Sequence, residues 1–238
     1  MLATHARTEA VLTLRNSEQI LLTLLIPLAL LVGLTLLTIF SLPEPRVDSV
    51  APRIFALAVM SSAFTGQAIA LGFDRRYGVV KRLAATALPR WLLLAGRTSA
   101  AFVVVAVQLV VLGVVAAALG WSPSATGIVW AVLLVVLGTL SFGALGVLLG
   151  GALKAEIVLA LANLVWFVLL LAGGIAVPAS SMPGPLADIV TFLPSGALAE
   201  GLHTALTDGT APHWTVFATL LAWGGAAGAL ATRTTKLA

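Results

Sequence analysis

FDRRYGVVKRLAATALPRWLLLAGR, residues 73–97, is the stretch from which the rest of the chain can be read. It holds six of the 13 lysines and arginines, and long apolar segments bound it on both sides. Arg75, Arg76, Lys81, Arg82, Arg90 and Arg97 supply charge, while Val79, Val80, Leu83, Leu88 and Trp91 supply an apolar side. Gly78 and Pro89 interrupt it, which predicts two short helical pieces joined by bends rather than one rod. A basic amphipathic segment beside a membrane either lies on anionic headgroups or docks a cytoplasmic partner. The plainer alternative is a solvated loop that only sets topology.

Composition names the solvent. Apolar residues make up 60% of the chain and charged residues 9%, against roughly 25% charged in a soluble domain. Counting histidine as charged, five charge-free stretches appear: Gln19–Pro43, Ile54–Phe73, Thr98–Leu153, Ile157–Ala187 and Trp214–Thr232. The third is 56 residues long, and GWSPSATG at Gly120–Gly127 is the turn that divides it. About 20 apolar residues cross the hydrocarbon core. The expectation is an all-α integral membrane protein, a single domain over 1–238. Its six spans fall near 19–40, 53–73, 98–119, 127–151, 155–177 and 213–232.

With six spans, both termini share a side with the 74–97 segment and the short loop around Lys154. That side carries eleven basic residues and the opposite side two, Arg46 and Arg53. The bias places both termini in the cytoplasm of a multi-pass protein of the cell's inner or plasma membrane. The formal net charge of +4 is therefore a topology signal, and nucleic acid is not an expected partner. Cysteine is absent, which removes disulfides, thiolate metal sites and cysteine nucleophiles together. Residues 1–18 carry Glu9 and Glu18 where a signal peptide needs a cationic lead into an apolar run. They read as an interfacial helix ahead of the first span, with Leu2, Val11, Leu12 and Leu14 toward lipid.

The first span contains Pro27, which is either a hinge or a tolerated kink. The second carries Ser61, Ser62, Thr65, Gly66 and Gln67 near its middle, the most polar patch in any span. Gln108 in the third span and Asn163 in the fifth are the other strong amides. Such groups usually hydrogen-bond between helices; the sharper alternative puts Ser61, Ser62, Gln67, Gln108 and Asn163 on a substrate path. Gly146 and Gly150 form a GxxxG pair in the fourth span, and Gly224 and Gly228 form another in the sixth. Either pair lets helices approach closely, within one chain or between two.

The last outer loop, Val177–His213, is too apolar for a solvated loop. PLADIVTFL and PSGALAEGLHTAL carry apolar residues at helical spacing. They predict two short helices in, or dipping into, the outer interface, with Asp188, Glu200, His203 and Asp208 toward water or a pore mouth. Ser195 and His203 stand eight apart in one loop and lack a partner helix that would orient the base of a nucleophile–base pair. His5, His203 and His213 have no metal-ligand spacing, so no metal site is expected. GxxxxGK[ST] is absent, so the chain has no loop of its own for cradling ATP. Neither inverted repeats nor a buried acid–base pair of an ion-coupled carrier is visible.

The order of parts resembles an ABC-2 type transporter permease, similar to the drug, polyketide and glycolipid exporters of that class. The resemblance covers essentially the whole chain. Its most specific piece is the 73–97 segment, where Asp74, Arg75, Gly78, Arg82, Leu83, Thr86, Leu88, Arg90, Gly96 and Arg97 match the family pattern. FLPSGALAEGLHTAL resembles the family's segment before the last span. Ala87 stands where proline is usual, and Lys81 where glutamate is often found. The resemblance implies a cytoplasmic coupling helix after span two, seated in a cleft of a separate ATP-binding subunit. Asp74, Arg75, Arg76, Tyr77, Gly78, Lys81, Arg82, Leu83, Thr86, Leu88, Pro89 and Arg90 would make that contact. It also implies a second permease chain, the same or similar, and a hydrophobic or amphipathic substrate moved outward. ATP and magnesium belong to the partner, so this chain is a transport subunit that binds no cofactor and is no enzyme. A membrane-embedded scaffolding protein without transport is the alternative from a different class.

Overall fold

The computed structural model describes residues 17–37, 44–79, 82, 90–177 and 182–234. All regular structure among them is helical: α1 (Ser17–Leu36), α2 (Arg46–Arg76), α3 (Arg90–Ala118), α4 (Gly127–Ala152), α5 (Ala155–Ala172), α6 (Gly184–Thr191), α7 (Pro194–His203) and α8 (Trp214–Thr234). Five of these, α2, α3, α4, α5 and α8, are long and apolar enough to cross a membrane. α1 adds a shorter apolar stretch, Thr23–Leu36. The interfacial helix expected over residues 1–18 lies outside the described residues except for its last two positions, which open α1.

α2 is the axis of the bundle. Its apolar window is 72% buried, against 22% for α5. The charges at Arg46 and Arg53 put the expected start of this span at residue 53, but the helix begins seven residues earlier. Arg46 is 9% exposed and its guanidinium donates to the Leu37 carbonyl at 2.8 Å, so the charge is accommodated inside the fold. Pro52 sits within the same helix and has no N–H to give the carbonyl four residues back. That carbonyl, on Asp48, accepts from the Thr207 hydroxyl at 2.9 Å instead. At the middle of α2 the helix widens into a π-helical turn over Ser61–Gly66.

Lipid tails are as apolar as leucine, so small residues rather than hydrophobicity decide which helices approach. α4 shows this on both faces. A Cβ on Gly146 would lie 2.8 Å from the Phe64 carbonyl oxygen, and one on Gly150 2.5 Å from that of Ala68. The first GxxxG pair therefore packs inside the chain, against α2. The second is split. Gly224 touches Ser141 of α4, whereas no described residue lies within 4 Å of where a Gly228 Cβ would stand. Phe142, Leu134, Leu57, Met60, Leu198, Leu202 and Leu220 fill the core between these helices.

The third span starts before residue 98: α3 reaches back to Arg90. α5 ends at Ala172 rather than 177, at Gly173 and Gly174, the second with φ of 87°. The Ser195 hydroxyl donates to the Gly173 carbonyl at 2.8 Å, anchoring α7 to that end. α7 is buried from Pro194 to Ala199 and again at Gly201 and Leu202, packed on α2, α4 and α8. Its small residues make this possible, since Gly201 sits against Leu134 and Val216, and Gly196 against Val190. α6 instead leaves Leu186 and Ile189 exposed, along with Phe192 just beyond its end. Asp188, Glu200 and Asp208 are exposed, as expected of the loop's charges, and His203 is half-buried.

Candidate functional site

Three consecutive side chains at the end of α2 reach three different helices. Asp74 pairs with Arg97 of α3. Arg75 donates through one nitrogen to the carbonyls of Gly150 and Leu153, at 2.9 and 3.0 Å, closing the C-terminus of α4. A cation there also meets the negative end of the helix dipole. Arg76 pairs with Glu156 in the first turn of α5 and lies 5.9 Å from the centre of the Tyr77 ring. The two ion pairs differ in weight. Asp74–Arg97 is the more shielded, with side chains 32% and 11% exposed, while Arg76–Glu156 stands in water at 49% and 62%. Exposed pairs contribute little, so Asp74 and Arg75 hold this joint. Beyond it Tyr77 is exposed and Gly78 turns the chain with φ of 69°, the bend expected there. Arg82 is exposed, its N–H bonded to the Gly78 carbonyl. Lys81, Leu83, Thr86, Leu88 and Pro89 lie outside the described residues, and Arg90 opens α3.

Immediately beneath the joint is a cavity of about 660 Å³ between α1, α2 and α5. Thr23, Ser61, Thr65 and Asn163 give it hydroxyls and an amide, while Phe73, Tyr77 and Trp166 give it aromatic surface. Asp74 is its one charged lining residue among the described residues, and that carboxylate is already engaged by Arg97. The wall is thus mostly apolar, with neutral hydrogen-bonding groups. α1 and α5 form opposite walls without close packing on one another among the described residues, which leaves the space open between them.

The five polar residues read as a substrate path divide into two groups. Ser61 and Asn163 line the cavity. Ser61 accepts from the Trp166 indole at 2.8 Å and donates to the Leu57 carbonyl at 2.7 Å. Ser62, Gln67 and Gln108 instead tie helices together: Ser62 to Gln108 at 2.6 Å, and the Gln67 amide to the Arg97 carbonyl at 3.0 Å. The sequence reading missed Thr23, Phe73 and Trp166. One signal was available, because Leu159, Asn163 and Trp166 recur at i, i+4 and i+7 and so share a helix face.

A family model for the ABC-2 type transporter matches residues 2–206, spanning α1, the joint and the cavity. The chain belongs to the ABC-2 type transporter family. No curated protein matches it. Membership makes it a multi-pass membrane protein and the permease component of an ABC transporter, a transport subunit that is not itself catalytic. Permeases of this family normally work with an ABC ATP-binding subunit. Within an ABC-2 chain, the joint at Asp74–Arg76 stands between the basic segment 79–90 and the ends of three apolar helices.

Proposed function

We propose that this chain is the membrane half of an ATP-driven exporter that moves a hydrophobic or amphipathic substrate, lipid-like or drug-like, out of the cytoplasm. The observation that carries the reading is the joint itself. Asp74 and Arg75 fasten the start of the 74–97 segment to α3 and α4, directly beside a cavity with neutral polar and aromatic walls. A push on that segment from an ATP-binding subunit then moves α2, one wall of the cavity, together with α3 and α4, because the contacts are charge-assisted and shielded. The neutral lining favours a substrate whose membrane-buried part is uncharged and offers hydroxyl, amide or aromatic groups. On this reading α1 is the first of six spans, and a second chain, identical or similar, closes the open side between α1 and α5. ATP and magnesium stay on the partner.

The test is purification from the native membrane in mild detergent, followed by native mass spectrometry. The expected particle holds two permease chains and two ATP-binding chains. A particle with one permease and no nucleotide-binding protein would overturn the proposal and favour a scaffolding protein.

Topology has its own check, made clean by the absence of cysteine. Ala125→Cys and Thr210→Cys sit at exposed positions on one end of the bundle, and Lys154→Cys at an exposed position on the other. The first two should react with an impermeant thiol reagent added outside intact cells, and the third should not. The opposite pattern would reverse the orientation drawn from the charge bias.

A further inference from the structure

The buried polar contacts contain one arrangement that interhelical packing alone does not require. Pro27 stands inside α1 and has no N–H to offer the carbonyl of Thr23, four residues earlier. The side-chain amide of Gln108, on α3, donates to that carbonyl at 3.1 Å. The same amide's oxygen accepts from the Ser62 hydroxyl at 2.6 Å, within the π-helical turn of α2. Gln108 is 4% exposed and Ser62 8% exposed, so neither bond is a surface accident. Thr23, Ile26 and Pro27 are all on the cavity wall, whereas Gln108 and Ser62 stand behind it. The Pro52–Asp48–Thr207 contact repeats the chemistry at the other end of α2, with an exposed hydroxyl as the donor.

We propose that Gln108 is a positioning residue for the cavity: a latch that holds the N-terminal half of α1 closed at its proline. An unbroken helix ladder would keep that half in line through its own backbone bonds. Pro27 removes one of those bonds, and the donor has moved to a side chain on another helix, fastened in turn to the widened turn of α2. A side-chain bond can exchange in a way that a helix ladder does not. When the amide lets go, Thr23 and Ile26 swing away from α3, and the gap between α1 and α5 widens. The π-helical turn places the partner hydroxyl, and such turns recur at functional sites. The consequence for transport, a cavity wall that opens and closes with the state of α2, rests on the exporter reading; the latch does not.

The test therefore uses the full chain alone in lipid nanodiscs, without any ATP-binding subunit. Ile69→Cys places a single thiol on the cavity wall of a chain that has none, and the readout is its rate of modification by a charged methanethiosulfonate. Gln108→Leu should raise that rate about threefold to thirtyfold, the population change expected for loss of one or two interhelical bonds in a membrane. Pro27→Ala returns an N–H to the Thr23 carbonyl, so in that background Gln108→Leu should leave the rate nearly unchanged. General loosening of α3 would raise the rate equally with or without Pro27, and that outcome overturns the latch. Should Gln108→Leu fail to fold, Ser62→Ala removes only the bond that orients the amide. It should give a smaller increase, again cancelled by Pro27→Ala. No increase in either variant overturns the proposal, while leaving the exporter reading to its own test of stoichiometry.

Discussion

Replacing Leu83 and Leu88 together with serine is expected to lower affinity for the ATP-binding subunit about a hundredfold or more. The sequence assigns both residues to the apolar side of the basic segment, with Arg82 and Arg90 beside them in sequence. In a protein cleft each leucine contributes roughly 1.5–3 kcal/mol on full burial, and each 1.4 kcal/mol is about tenfold in binding. The competing account, a solvated segment that only sets orientation, predicts no loss, because serine leaves all six charges in place. Pull-down of the ATP-binding subunit decides between them, with membrane insertion of each variant measured alongside. Arg75→Lys adds a finer cut. It keeps the positive charge but replaces the planar guanidinium that holds the Gly150 and Leu153 carbonyls. It should weaken coupling between ATP hydrolysis and transport more than docking itself. Unchanged capture by the double-serine variant would reduce the segment to a topology signal.

Gly150→Val should prevent stable folding, whereas Gly228→Ala should leave stability unchanged or slightly raised. The two glycines occupy the same place in two GxxxG pairs, so the sequence treats them alike. A Cβ at Gly150 would lie 2.5 Å from the Ala68 carbonyl oxygen and 3.1 Å from the Leu71 Cβ. The first of these is backbone and cannot turn aside. The helices must part, at a cost of about 3 kcal/mol or more, the upper end for overpacking. Parting also pulls Arg75 from the carbonyls it closes, so the loss spreads to the joint. At Gly228 nothing among the described residues stands within 4 Å, and alanine replaces the poorer helix former. Tryptophan-fluorescence size-exclusion profiles after a heating series measure both. A wild-type profile for Gly150→Val, or an equal drop for the two variants, would contradict the assignment of the close contact to α2 and α4.

Much of this protein was legible in the chain because membrane insertion depends on sums over long windows. Twenty apolar residues without charge predict a span whatever their neighbours, and turn residues such as those at Gly120–Gly127 divide a stretch too long for one. The bend at Gly78 was readable for a local reason, since glycine permits positive φ. The family pattern around Asp74 was readable too, as a string of residue types.

Which partner each side chain takes was not legible, because hydrogen bonds and close approaches join residues far apart in sequence. Arg46 read as a charge of the outer loop before the second span, whereas the Leu37 carbonyl and the surrounding core take it in. PSGALAEG read as an interfacial helix, while its small residues let α7 sink between α2, α4 and α8. Ser61 and Ser62 are neighbours in sequence, yet one lines the cavity and the other ties α2 to Gln108. Their separation follows from the rotation between successive residues in the widened π-helical turn, and from which helix stands on each side. Pro27 carried the same ambiguity, hinge or tolerated kink. Only the tertiary structure brings Gln108 to the carbonyl that the proline leaves without its backbone donor, and a helix ladder cannot announce in its own sequence which side chain will mend it.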